Sequence, residues 1–310
     1  MNTASNAVPE YPVGSQASAP AAMSTARVFY WSVRRELWEH RSIYVAPLAV
    51  AALILAGFFI STVHLADRMR AALALSPMQQ TEAIQQPYTF AALLMMASFF
   101  IVALFYSLDA LYGERRDRSI LFWKSMPVSD LMTVLAKASV PILILPLLTF
   151  TLTIATQGIM ALLSTVVLRA NGLSAATLWS HLPLPQMSLM LLDHLVGVHG
   201  LWYAPIYCWL LLVSAWARRA PFLWAVLPLF AMGIVERIAF NTAYLSALLQ
   251  YRLLGGPEGM AFDAGSMSTD PLANLNPVHF LLSPGMWIGF VFAAAFLFAA
   301  ARLRRSRGPM

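Results

Sequence analysis

The chain has 310 residues, of which 59% are hydrophobic and 11% charged, far below the roughly 25% charge of a soluble domain. Its net charge of +6 sits in short loops beside apolar runs, which points to anionic headgroups and membrane topology and argues against nucleic acid. The lone cysteine, Cys208, excludes an internal disulfide and a cysteine-based structural metal site.

In chain order, residues 1–24 are rich in Ala, Ser, Pro and Asn and read as a disordered leader; the first apolar run starts too late and runs too long for a signal peptide. Residues 27–41, RVFYWSVRRELWEHR, place Phe29, Trp31, Leu37 and Trp38 among Arg34, Arg35, Glu36 and Glu39, the pattern of an amphipathic helix at a membrane surface. Six apolar stretches follow: 43–63, 88–108, 134–168, 195–216, 222–240 and 285–301. About 20 apolar residues suffice for a helix to cross the hydrocarbon layer. The 134–168 run is too long for one upright crossing and too short for two, so it predicts a tilted helix bent at Pro141 and Pro146. Residues 241–254, NTAYLSALLQYRLL, are too short to span and predict a re-entrant or interfacial helix within an outer segment, 241–284.

The basic residues alternate between loops. Arg27, Arg34, Arg35 and Arg41, then Arg115, Arg116, Arg118, Lys124 and Lys137, then Arg218 and Arg219, then Arg302, Arg304, Arg305 and Arg307 fall on one side. Arg68, Arg70, Arg169, Arg237 and Arg252 fall on or near the other. The expectation is an all-α integral membrane protein of six spans with both termini in the cytoplasm.

Catalytic signatures are missing. The sequence contains no phosphate loop of the form G-x-x-x-x-G-K-[ST], no H-E-x-x-H, no G-x-S-x-G and no S-x-x-K, so neither intrinsic ATP hydrolysis by that route nor a known hydrolytic centre is expected. Asp193, His194 and His199, with His181 upstream, are the nearest approach to a reactive group. On an α-helix Asp193 and His194 diverge by about 100° and His199 lies five residues on, so no metal site is expected there. Glu236 and Arg237 near the outer end of the fifth stretch read either as lining a translocation path, with Asp193 and His194, or as an interfacial helix end.

The strongest local signal is the loop 109–133 and its continuation, DALYGERRDRSILFWKSMPVSDLMTVLAKA. A charged helical segment leads into Ile120, Leu121, Phe122 and Trp123; Pro127 then stops it, and Ser129 and Asp130 offer an N-cap to the next helix. An apolar patch rimmed by charge is a docking surface.

This loop resembles the coupling segment of ABC-2 type permeases, the membrane subunits of a class of ABC exporters, whose pattern is approximately E-R-E-x-G-T-L-E-x-L-L-x-x-P-V-S. Glu114 and Arg115 match its opening, Ser119 and Ile120 approximate Thr-Leu, and Pro127, Val128 and Ser129 match its end. Arg116, Arg118 and Leu121 depart from it, as in a divergent subfamily. The resemblance implies an ABC-2 (type V) exporter-like transmembrane domain over 25–310 in a bacterial inner membrane. It would pair with a second permease copy or paralogue and with separate ATPase subunits that carry the ATP and Mg. Gly113, Glu114, Arg115, Arg116, Asp117, Arg118, Ser119, Ile120, Phe122, Trp123 and Lys124 would form the ATPase-coupling segment. Glu114, Arg115, Arg116 and Arg118 would meet partner charges while Phe122 and Trp123 anchor. The competing expectations are an intramembrane enzyme acting on a lipid-soluble substrate and a non-transporting membrane scaffold.

Overall fold

The computed structural model of the protein describes residues 24–126, 128–254 and 283–307. It is built of helices, with no strand among the described residues. The expected leader lies outside them except for Ser24, as do 255–282 of the outer segment and Pro127.

Among the described residues, five helical segments are long and apolar enough to cross a membrane: Ser42–Leu73, Pro77–Arg116, Asp130–Ala170, Pro221–Phe240 and Pro284–Ser306. Ala175–Trp202 and Ala204–Trp216 meet at 44° and make a sixth if they form one broken crossing. Helix α1 (Thr25–Glu39) is followed by α2 (Ser42–Ser61), a 3-10 turn and α3 (Leu65–Leu73). Helix α4 (Pro77–Asp109) starts on a proline, which is suited to a first turn. Its 33 residues reach about 50 Å, so it projects well past the 88–108 stretch legible by hydropathy.

Two short helices, α5 (Tyr112–Arg116) and α6 (Ile120–Lys124), form the next connection. The long third segment is α7 (Asp130–Ser139), a π-helical turn (Val140–Ile144) and α8 (Leu145–Ala170). Pro141 lacks an N–H and its ring crowds the carbonyl four residues back. The helix answers with the widened π turn at Val140–Ile144, within a segment that runs as one candidate span from Asp130 to Ala170.

Then come α9 (Ala175–His181), α10 (Leu184–Asp193), a nine-residue π-helical stretch (His194–Trp202) and α11 (Ala204–Trp216). The two π regions pack together at Gly200, where an added Cβ would stand 2.7 Å from the Ile142 carbonyl oxygen. Helix α12 (Pro221–Phe240) buries only Ala225 and is held near its start. There Trp209 Nε1 donates to the Ala225 carbonyl at 3.2 Å and the Trp216 and Trp224 rings meet edge to face. Helix α13 (Tyr244–Leu254) turns back from it, and α14 (Pro284–Ser306) closes the bundle.

The core has two main apolar clusters. Ile43, Phe99, Val140, Leu195, Tyr207 and Leu211 belong to one; Met69, Tyr88, Met160, Leu168 and Leu178 belong to the other. Between α4 and α8 a polar seam supplements them: Tyr88 and Ser164 hydroxyls lie 3.0 Å apart, and Gln157 Nε2 donates to the Tyr88 carbonyl at 3.1 Å. Small and polar residues let membrane helices approach and bond where apolar burial gives no net drive.

Candidate functional site

The ends of α1, α4, α7, α11 and α14 that carry the alternating basic residues converge on the α5–α6 connection. Ser129 caps α7 through a hydrogen bond accepted from the Met132 N–H at 3.2 Å, which fixes where the connection ends. At its other end, the Leu111 and Tyr112 N–H groups donate to Ser214 Oγ at 3.0 and 2.8 Å, docking α5 on α11.

Between these anchors lies a buried ion cluster. Lys137, fully buried on α7, places Nζ 2.9 Å from Glu36 Oε2 and 3.1 Å from Glu114 Oε1. Arg35 bridges the same two carboxylates, at 2.8 Å to Glu36 and 3.1 Å to Glu114. Arg304 of α14 reaches Glu114 Oε2 at 3.2 Å and also pairs with Asp130. The Tyr106 hydroxyl donates to Glu36 Oε2 at 3.1 Å. Three carboxylates thus face three cations, and helices distant in sequence share one knot. Ion pairs of this kind add little net stability over an apolar core, but removing one member leaves an uncompensated charge and costs about 3–5 kcal/mol. Their effect here is to fix a single arrangement of α1, α5, α7 and α14.

Electrostatics agree with ionised partners. Burial by itself raises the Glu36 carboxyl, but the charges of Lys137 and Arg35 outweigh it and hold the group below its ordinary 4.5. Burial and then Lys137 lower the His40 imidazole below its ordinary 6.5. Glu39 moves up, chiefly through burial. Donor atoms of Glu36, Glu39 and His40 come within 4.8 Å of one another, the spacing of a cation site. The Lys137 ammonium already holds Glu36, so a metal there would have to displace a buried cation.

The loop residues divide into two faces. Glu114 and Arg115, expected from the resemblance to meet partner charges, are buried and bonded within this chain. Glu114 belongs to the ion cluster, and Arg115 donates to the Ala215 and Ala217 carbonyls at 2.6 and 3.2 Å. Ile120 is buried as well, and Ser119 Oγ donates to the Glu114 carbonyl. Gly113 lies against Asp109, where a Cβ would stand 3.3 Å from the carboxylate. On the outer face, Arg116 pairs with Asp117 at 2.9 Å, and Arg118 has a positive φ of 58°. Lys124 donates to the Arg305 and Arg307 carbonyls at 3.3 and 3.0 Å. Leu121 and Phe122 are each 59% exposed. Trp123 joins the faces: its ring meets Phe122 edge to face and lies 3.8 Å below the Arg35 guanidinium.

The other sequence-level candidates do not form part of this cluster. His194 and His199 bring their ring centroids to 5.2 Å, against the divergence expected of an α-helix. The reason is the π-helical stretch, whose i to i+5 bonding stacks residues five apart. His199 also stacks on Phe99 at 5.2 Å and neighbours Tyr203 at 5.5 Å, whereas Asp193 is exposed. Glu236 caps the turn into α13, accepting from the Thr242 hydroxyl at 2.9 Å and from the Tyr244 and Leu245 N–H groups at 2.5 and 2.9 Å. Arg237 is exposed. Of the two readings open for this pair, the helix-end role accounts for the bonds Glu236 makes among the described residues.

Sequence reasoning missed Glu36 and Arg304 as site residues and counted Lys137 and Arg304 only as topology charges. A usable signal was present: Lys137 stands inside an apolar run, and a charge in that setting needs a partner. Comparison with family models, with characterised proteins and with solved structures finds no match to this chain.

Proposed function

We propose that this protein is the transmembrane permease subunit of an ATP-driven ABC-2 type exporter, working with separate ATPase subunits and a second copy or paralogue of itself. The observation that carries the reading is the two-faced α5–α6 connection. One face is locked to α1, α7, α11 and α14 by buried ions and carbonyl bonds; the other offers Leu121 and Phe122 to the outside. A partner gripping that outer face would move four helices as a unit, because the inner face leaves no slack between them. Such coupling needs a bistable interface and no chemistry in the segment. ATP and Mg would reside on the ATPase.

The wider reading follows the charge alternation: a bacterial inner-membrane protein, both termini cytoplasmic, with the α5–α6 connection on the cytoplasmic side. Its apolar crossings suit a hydrophobic or amphipathic substrate. For the intramembrane-enzyme alternative, His194 and His199 do adjoin, but Asp193 is exposed and Glu236 is engaged in a helix cap.

The test is affinity purification in mild detergent from the native membrane, with nucleotide hydrolysis assayed on the product. A stoichiometric soluble ATPase is expected with the wild type, and its loss with Phe122→Asp, while insertion and thermal stability persist. Purification of the wild type without such a partner and without ATP turnover would overturn the proposal in favour of an enzyme or scaffold.

A further inference from the structure

Helix α1 has a second face that the ion cluster does not use. Ser32 and Glu36 face the bundle and are buried. On the opposite side, Arg27, Trp31, Arg34 and Trp38 recur at alternating four- and three-residue steps, and Arg41 continues the series just beyond the helix. At 100° per residue these positions form one stripe about half a turn from Glu36. The stripe alternates cation and indole throughout.

The side chains follow the pattern. Trp31 and Trp38 are 47% and 69% exposed. The Arg34 guanidinium lies between them, 5.0 Å from each ring centroid. Arg27, Arg34 and Arg41 make no ion pair with any carboxylate among the described residues, in contrast to the neighbouring Arg35. Only His40 and Arg41 separate α1 from α2, a segment long and apolar enough to cross a membrane, so the Arg41 end of the stripe adjoins the start of that crossing.

We propose that this stripe is a binding site for anionic phospholipid headgroups, with Arg34 at its centre and Arg27 and Arg41 at its flanks. Indole rings favour the interfacial layer and hold the helix at that depth. The three arginines supply the attraction, which is about fivefold in affinity per basic residue close to an anionic surface. Guanidinium forks match phosphate oxygens in paired hydrogen bonds. The occupant is the lipid and not a free phosphate ion, because the exposed indoles between the arginines need an acyl-chain boundary to cover them. Arg34 adjoins Arg35, which touches Glu36, Glu114 and the Trp123 ring. Lipid on the outer face therefore steadies the helix that holds the loop. This holds whatever the loop docks onto.

The full chain, reconstituted in zwitterionic phosphatidylcholine vesicles with a minor fraction of brominated lipid, provides the test. The signal is the quenching of tryptophan emission that disappears in Trp31→Phe/Trp38→Phe. Brominated phosphatidylglycerol should quench that signal with at least tenfold higher apparent affinity than brominated phosphatidylcholine, and high salt should reduce the ratio. Arg27→Gln/Arg34→Gln/Arg41→Gln should bring the ratio to about one while quenching by phosphatidylcholine persists, which reports that α1 is still folded at the interface. Arg34→Lys should keep part of the preference. Equal quenching by the two lipids, or a ratio untouched by the triple substitution, would overturn the proposal. Loss of the preference on adding millimolar inorganic phosphate at constant ionic strength would also overturn it, in favour of a free-anion site.

Discussion

The ion cluster at the basic ends of the helices and the π-helical stretch between α10 and α11 differ in how they treat buried charge and polarity. In the cluster, Glu36, Glu114 and Asp130 each have a cation at bonding distance, and Tyr106 satisfies a further lone pair. Every buried carboxylate there is paired, even though Arg35 Nε and Arg304 Nε have no hydrogen-bond partner among the described residues. In and around the π region, His199 Nδ1, Tyr207 Oη, Thr149 Oγ1 and Ser98 Oγ are buried without a hydrogen-bond partner among the described residues. Paired buried charges select one arrangement, because every alternative strands a charge. A region with unsatisfied polar groups carries a standing cost and yields more readily to rearrangement. The contrast separates the part that fixes helices from the part able to shift within the membrane.

Breaking the cluster should have the largest effect. Lys137→Met leaves Glu36 and Glu114 facing each other with one bridging cation fewer and should cost about 3–5 kcal/mol, read from thermal unfolding in detergent. A change below about 0.5 kcal/mol would mean the cluster is not ionised as described. Next, Gly200→Ala presses a methyl group on the Ile142 carbonyl and should cost about 1–3 kcal/mol as the two π regions separate. If it is neutral, their contact is already loose.

Acidification should act more gently at first. His40, packed on Tyr106 and facing Glu36 and Lys137, has its folded value held below 6.5, so the unfolded chain takes up its proton first. Stability is full above pH 6.5 and declines as pH falls through the lowered value. Glu36, held below 4.5, adds a further loss as pH falls below 4.5, while Glu39, shifted upward, offsets part of the earlier loss as pH falls through its raised value. His40→Gln should flatten the first part of the curve and leave the second; an unchanged curve would remove His40 from this account. The smallest effect belongs to Tyr207→Phe, which deletes a hydroxyl with no partner among the described residues. Stability should stay within about 0.5 kcal/mol of wild type or rise, and a large loss would reveal an ordered water or ligand bonded there.

The crossings were legible because hydropathy and charge are local properties, and the capping role of Ser129 was legible for the same reason. The ion cluster was not, because its members come from segments whose pairing depends on how the helices assemble. Glu36 read as one charge of an amphipathic helix, and its partner Lys137 lies 101 residues away. The histidine pair was misjudged through the helix type. Five-residue spacing is divergent on an α-helix and convergent on a π-helix, and no residue in 194–202 announces that change as Pro141 does for 140–144. Glu236 showed its charge but not its task, since the N–H groups it accepts lie eight and nine positions ahead, beyond a turn at Asn241.

The cluster also bears on biosynthesis. Glu36 emerges from the ribosome 101 residues before Lys137, and Glu114 emerges 190 residues before Arg304. At about 5–20 residues per second, the second wait is roughly 10–40 seconds. Through that interval Glu114 lacks one of its cations, and the acidic end of α7 lacks the arginine that tops it. Insertion of α14 supplies Arg304 and completes the charge balance around Glu114 and Asp130, so the cluster can close only after that helix has been made.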